Sequence, residues 1–210
     1  MMPPLEFVAP GAHAIVYEQQ PMEARASWPV GIAGQDQQLI GEPSDLDFVK
    51  ILASIAGQLH IYDPGRFRYA LGASRSTRFF ERTPEALATF LAGLGCFVHR
   101  ADTWWQDSLG RELYGAMMLG VPVLCPIGSL HAERIEQGVD GFIYGSRAEA
   151  QQQLSDLRRD PVLAQKIGRA GRDKIRALAD PSAQARRYKE LIVGTTSAIG
   201  STVEWIASVA

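Results

Sequence analysis

The stretch Asp107-Ser-Leu-Gly-Arg-Glu-Leu-Tyr-Gly-Ala-Met-Met-Leu-Gly-Val-Pro122, running directly into Val123-Leu124-Cys125, decides how this chain is read. An acidic residue and a glycine open a helix, and a second glycine closes it into an apolar strand. Leu109, Leu113, Ala116, Met117 and Gly120 recur at helical spacing and predict the buried face. Ser108, Arg111, Glu112 and Gly115 share the other side, which this spacing leaves free to meet a ligand. Asp107 or Ser108 fits the N-cap and Gly120 the residue past the C-cap of a helix of about three turns. In an open α/β sheet such a loop-to-helix junction is where ligands bind, because helix N-termini present unpaired N–H groups and the positive dipole end to anions.

Outward from this helix the chain alternates between strand and helix patterns. Strands are expected at 5–8 and 28–33, then at 59–62, 77–80, 96–99, 121–125 and 142–144. Asp45 fits the cap of a helix that Gly57 stops, with Phe48, Ile51, Leu52 and Ile55 as its apolar face. Thr83-Pro84 opens a helix striped by Leu87, Phe90, Leu91 and Leu94, and a short helix is expected at 132–137. From Arg147 onward the pattern is helical, with Asp160-Pro161 and Asp180-Pro181 as repeated N-cap and N1 signals. Alternation of this kind predicts an α/β fold: one Rossmann-like domain with a parallel sheet, helices on both faces and a helical C-terminal tail.

With 210 residues and 46% hydrophobic content the chain has material for one such core and not for two with connectors. The expected division is an irregular N-terminal segment with one or two strands at 1–35, the domain at 36–180 and a tail at 181–210. Charge is nearly balanced, 21 basic against 23 acidic residues, with no basic stripe for nucleic acid. Apolar runs are too short to span a bilayer and no leader pattern opens the chain, so a cytoplasmic protein is expected. Cys96 and Cys125 fall in strands without metal-ligand spacing and are expected to be reduced. The four histidines form no metal pair. Asp45-Leu46-Asp47 has the form of a cation-binding Asp-x-Asp, but N-cap and dipole chemistry account for both acids, and no metal is expected.

From about residue 83 to 173 the chain resembles the C-terminal, nucleotide-sugar-binding domain of group 1 glycosyltransferases, retaining enzymes of the GT-B fold. The residues carrying the resemblance are Phe97-Val98-His99, Asp107-Ser-Leu-Gly110-Arg111, Gly115-Ala-Met-Met118 and Gly120-Val-Pro-Val-Leu124. Glu133-Arg-Ile-Glu-Gln-Gly138-Val-Asp-Gly141-Phe-Ile-Tyr144 continues it. The resemblance implies half of a GT-B architecture and a nucleotide diphosphate sugar as donor cosubstrate, with no other cofactor. It further implies that acceptor and catalytic groups come from a second, N-terminal domain or from a separate protein partner.

Donor-binding candidates follow from the same resemblance. Asp107 stands where the family has a glutamate that meets the transferred sugar, and Gly110 brings backbone N–H groups close to the ligand. Arg111 presents a guanidinium fork to the diphosphate. Gly115 stands where the family has a second glutamate that holds the ribose hydroxyls. A carboxylate in that role contributes about 1.5–3 kcal/mol, so its loss should weaken binding. Glu112, one turn earlier, is either a substitute carboxylate or a surface charge. Lys50 is either a phosphate contact or part of a polar helix face with Asp47 and Ser54. His99, at a strand end before Trp104-Trp105, either faces the donor or bonds to backbone; the tryptophans either stack on a sugar or cover the loop. The expected function is donor-side binding for glycosyl transfer to an unknown acceptor. The alternative is a degenerate, non-catalytic relative acting through a protein partner, and a third reading is an unrelated α/β enzyme with another ligand at the same sheet edge.

Overall fold

The computed structural model describes residues 28–34, 43–65, 67–72, 75–100 and 110–180, with 182, 185, 186 and 189. The elements in chain order are β1 (Val30–Ala33), α1 (Pro43–Ala56), β2 (Leu59–Tyr62), α2 (Phe67–Leu71), β3 (Thr77–Phe80), α3 (Pro84–Ala92), β4 (Cys96–Val98), α4 (Arg111–Met118), β5 (Val123–Pro126), β6 (Phe142–Tyr144), α5 (Arg147–Arg159) and α6 (Pro161–Leu178). Strands and helices alternate as far as β5, and two helices follow β6. A single 3₁₀ turn, Ala132–Arg134, stands between β5 and β6. The strands form one sheet in the order β3-β2-β1-β4-β5-β6, and every pairing is parallel. That is the doubly wound Rossmann order, in which the strand sequence reverses between β1 and β4.

Both faces of the central strands β1, β4 and β5 are buried, so these strands are apolar on both sides. Phe97 and Val123 turn to one face, against Phe90 and Leu91 of α3 and Leu113 and Met117 of α4. Val30, Ile32, Cys96 and Val98 turn to the other, against Val49 and Leu52 of α1 and Leu154 and Leu157 of α5. Both cysteines are outside any disulfide and buried, and burial pushes the Cys125 thiol up to about 11. No helix of the described residues is long and apolar enough to cross a membrane.

Several element ends are set by local chemistry visible in the sequence. The Thr83 hydroxyl accepts from the Ala86 N–H at 3.1 Å, with Pro84 in the first helical turn. Asp160 accepts from the Leu163 N–H at 2.9 Å and Ser146 from the Glu149 N–H at 3.2 Å. Gly120 has φ 69 and closes α4 in a Schellman motif, with Gly120 N–H bonded to Met117 O and Val121 N–H to Ala116 O.

Other ends differ from the sequence expectation. α1 begins at Pro43, two residues before Asp45, because a proline N–H is dispensable in the first turn. β1 begins at Val30; Pro29, which has no N–H, contributes only its carbonyl, to Gly95 N–H at 2.8 Å. β4 stops at Val98 and β5 begins at Val123. The helix expected at 132–137 is only the 3₁₀ turn, because Glu136 N–H is taken by the Asp140 carboxylate at 2.9 Å and the backbone turns back at Gly138. The strand expected at 5–8 and Pro181 of the second Asp-Pro pair lie outside the described residues.

α6 presses against the α4–β5 junction through Gly168: an added Cβ would lie 2.0 Å from the Gly120 carbonyl oxygen. That obstacle is backbone and cannot rotate away. Gly168→Ala should therefore destabilise the protein by about 1–3 kcal/mol, although alanine is the better helix former by about 1 kcal/mol. Arg169→Ala, at an exposed neighbouring position, should change stability by under about 0.5 kcal/mol. Urea unfolding midpoints check both, and an unchanged midpoint for Gly168→Ala would contradict this packing.

Candidate functional site

The crevice of a doubly wound sheet opens outside the carboxyl ends of the strands where their order reverses, between β1 and β4. Residue 34 leaves β1 and His99-Arg100 leaves β4 at this edge, and the chain from β4 re-enters the described structure at Gly110. Gly110 is buried, with φ 54 and ψ 30, and occupies the N-cap position of α4. Left-handed backbone of this kind costs little only for glycine. There is also no room for a side chain: a Cβ would stand 2.8 Å from His131 Cε1 and 2.8 Å from Tyr114 Cε2.

The helix that follows is shorter and more enclosed than its periodicity suggests. It runs eight residues rather than three turns, and Gly110, not Asp107 or Ser108, holds the N-cap position. Asp107, Ser108, Trp104 and Trp105 lie outside the described residues. Glu112 through Met118 are all buried, whereas Arg111 retains partial exposure. The side expected to be free for a ligand is therefore covered, because α3 and α6 both pack against α4 while the sheet lies beneath it.

Glu112 is 4% exposed and acts within the protein. Its charge, after burial and together with Asp63, raises the Tyr62 hydroxyl above the usual phenol range, while Arg82 and Arg111 oppose that rise. The first turn of α4 thus lies in electrostatic reach of the end of β2. Tyr62 in turn donates to Thr83 O at 3.3 Å, tying β2 to the start of α3. Gly115 is buried one turn further along.

A second layer of aromatic groups supports the same corner. The Tyr114 hydroxyl and His131 Nδ1 are 3.0 Å apart and both side chains are buried. The His131 ring meets the His99 ring edge-on at 5.4 Å, and the Tyr144 hydroxyl donates to His99 O at 2.8 Å. His131 N–H donates to the Ser129 hydroxyl at 3.2 Å. Four segments, α4, the loop after β5, the end of β4 and the end of β6, are joined at one end of the sheet.

Of the residues singled out in the sequence, Gly110, Arg111, Glu112, Gly115 and His99 lie at this edge. His99 is 6% exposed, held between the His131 ring and the Tyr144 hydroxyl bond to its carbonyl. Lys50 belongs to α1, on the opposite face of the sheet from α4, where it is exposed and 3.7 Å from Asp47. Tyr114, His131 and Tyr144 were not distinguished by the sequence. Tyr114, four residues past the N-cap glycine, carried the one local signal, while the other two join the corner through pairing of distant strands. Among the described residues no group of three or more His, Cys, Asp or Glu side chains is gathered as for a metal ion.

No protein-family model and no curated protein sequence matches this chain. Solved structures match it in shape. One is Anabaena HepE in complex with UDP and glucose: TM-score 0.64, 16% identity, covering 89% of this chain and 53% of that one. The C-terminal domain of the group 1 glycosyltransferase LpcC from Francisella tularensis matches at TM-score 0.57 and 15% identity, over 71% of this chain and 85% of that one. A glycosyltransferase from Rickettsia africae matches at TM-score 0.66 and 12% identity, over 89% and 55%. This chain thus spans about half the length of HepE. The fold these likenesses show is the Rossmann-like half of the GT-B architecture, as found in group 1 glycosyltransferases.

The Gly110 junction depends on both its dihedral angle and its packing. Gly110→Ala should cost about 1–3 kcal/mol in urea unfolding. Tyr114→Phe, which keeps the ring and removes the bond to His131, should cost about 0.5–1.5 kcal/mol. A Gly110→Ala protein as stable as the parent would show that the left-handed cap is not required.

Proposed function

We propose that this chain is the donor-side domain of a glycosyltransferase, binding a nucleotide diphosphate sugar at the crevice where α4 begins. The observation that carries the reading is the start of α4: a left-handed, buried glycine delivers a helix N-terminus to the strand-order reversal, and Arg111 keeps partial exposure there. Backbone amides of the first turn and the dipole end suit a diphosphate, and Gly110 has no side chain to occupy those amides. In this reading Arg111 offsets charge on the departing diphosphate, Asp107 holds sugar hydroxyls, and no metal takes part. HepE, similar in fold, has been solved with UDP and with UDP-glucose, which supports a nucleotide-sugar ligand. The acceptor and the remaining catalytic groups are assigned to a second domain or partner protein.

The residues of α4 also favour a second reading. Gly115 places no carboxylate where the resembled family holds ribose, and Glu112 is buried and acts on Tyr62. A non-catalytic domain that keeps the scaffold and works through a protein partner fits this arrangement.

Calorimetric titration with UDP-, GDP- and ADP-sugars separates the two. Donor binding predicts heat from at least one of them, and Arg111→Ala should weaken that binding about tenfold to a hundredfold while leaving the unfolding midpoint unchanged. No heat from any donor with folded protein would favour the non-catalytic reading.

A further inference from the structure

At the opposite edge of the sheet, beside the amino ends of β2 and β3, lies a cavity of about 190 Å³ lined by Gln58, His60, Arg75, Ser76, Thr77 and Arg78. Its chemistry is one-sided. Its lining among the described residues carries two guanidinium groups, an imidazole, two hydroxyls and a carboxamide, and no carboxylate. Arg68 and Arg82, beyond the carboxyl ends of β2 and β3, are paired with Glu81 and Asp63. Arg75 and Arg78 form no ion pair among the described residues; Arg78 lies over the Phe80 ring at 4.7 Å.

His60 bears the mark of this imbalance. Its ring lies against Phe80 at 5.4 Å, and its Nδ1 is buried without a hydrogen-bond partner. Burial first, and then the Arg78 charge, hold its pKa down at about 4, which keeps the imidazole neutral near pH 7. An anion would supply a countercharge to the two guanidinium groups. This volume is below the roughly 300 Å³ and above of sites for ligands of drug size, which favours a small anion over a nucleotide sugar.

We propose that this cavity binds a phosphate dianion, free or as a small phosphomonoester, held by Arg75 and Arg78 with the Ser76 and Thr77 hydroxyls and the Gln58 amide completing its shell. Guanidinium forks match tetrahedral oxyanions in geometry as well as charge. The ester can come from a soluble metabolite or from the headgroup of phosphatidic acid, and the same contacts serve either source. The site lies at the other end of the strands from the start of α4, so it stands or falls apart from the donor reading.

The test titrates the full chain at low ionic strength with inorganic phosphate and with glycerol phosphate, following the His60 ring resonances by NMR. Sedimentation with phosphatidylcholine vesicles, with and without phosphatidic acid, runs alongside. Expected is a saturable shift of the His60 signals with a Kd on the order of 1 mM or tighter. Arg75→Gln and Arg78→Gln should each weaken binding about tenfold in protein that remains folded, and Arg78→Lys should restore part of it. Saturation by the soluble ester without sedimentation assigns the site to a soluble phosphomonoester. Sedimentation that needs phosphatidic acid and is lost in the double Gln variant assigns it to the headgroup. His60 signals that stay in place under phosphate and under vesicles alike, or a double variant that binds as the parent does, would overturn the proposal.

Discussion

The enclosure of α4 is the constraint on which the rest of the structure depends. An eight-residue helix is too short to be stable alone, and this one is held by α3 on one side, α6 on the other and the sheet beneath. Close approach on the α6 side requires small residues, which Gly168 and Gly171 supply: a Cβ at Gly171 would stand 2.9 Å from Asp140 O. The Lys174 ammonium meets the Asp140 carboxylate and the Arg134 carbonyl, so the same helix also fixes the loop between the 3₁₀ turn and β6. With its sides covered and its C-terminal carbonyls satisfied by the Schellman motif, α4 has one polar outlet, its first turn. Geometry, more than any single side chain, aims that turn at the crevice.

Much of this architecture could be read from sequence because local chemistry and tertiary demand agree. β2, β3 and β6 coincide with their expected limits, and α3 begins at the expected Thr83-Pro84 cap but ends at Ala92, short of Leu94. Phe97 between Cys96 and Val98 shows why the strands read as continuous apolar runs: neighbours go to opposite, equally buried faces. The errors fall where periodicity carries less information. In α4 the moment of the helix pointed Arg111, Glu112 and Gly115 outward together, but a helix clasped on both flanks has no outward side, and a glycine and a buried glutamate do not announce which neighbour covers them. In α1 the stripe is turned slightly, with Val49 and Ala56 buried and Ile51 and Ile55 only partly so.

The site was readable as a place and less so as a set of contacts. Helix start, glycine and following strand are contiguous in the chain, so Gly110 and Arg111 could be assigned to one corner. Lys50 could not be weighed in this way: its position relative to α4 depends on which face of the sheet each helix takes, and α1 takes the other. The pairing of Tyr114 with His131, and of Tyr144 with the His99 carbonyl, joins residues 17 and 45 positions apart. Nothing in the local pattern around His131 marks it as the group that closes the space above Gly110.

The exchange of a carboxylate for Gly115 can be judged by what burial would demand of any replacement. Gly115 is enclosed in the middle of α4, two turns' worth of packed residues with Leu113, Ala116 and Met117 around it. A charged carboxylate at such a position is tolerated only when a partner compensates the lost hydration, because an unpaired buried charge costs several kcal/mol. In the resembled family the ribose would supply that partner. Glu112, one turn earlier in the same helix, is itself buried, and part of its field falls on the Tyr62 hydroxyl, whose ionisation it opposes. Turning Glu112 toward a ribose would remove it from that surrounding, so under the proposed donor reading the α4 amides and Arg111 are left as the phosphate contacts at this corner. Groups of that kind recognise phosphates and are indifferent to sugar and base, so that reading needs its selectivity from residues beyond α4.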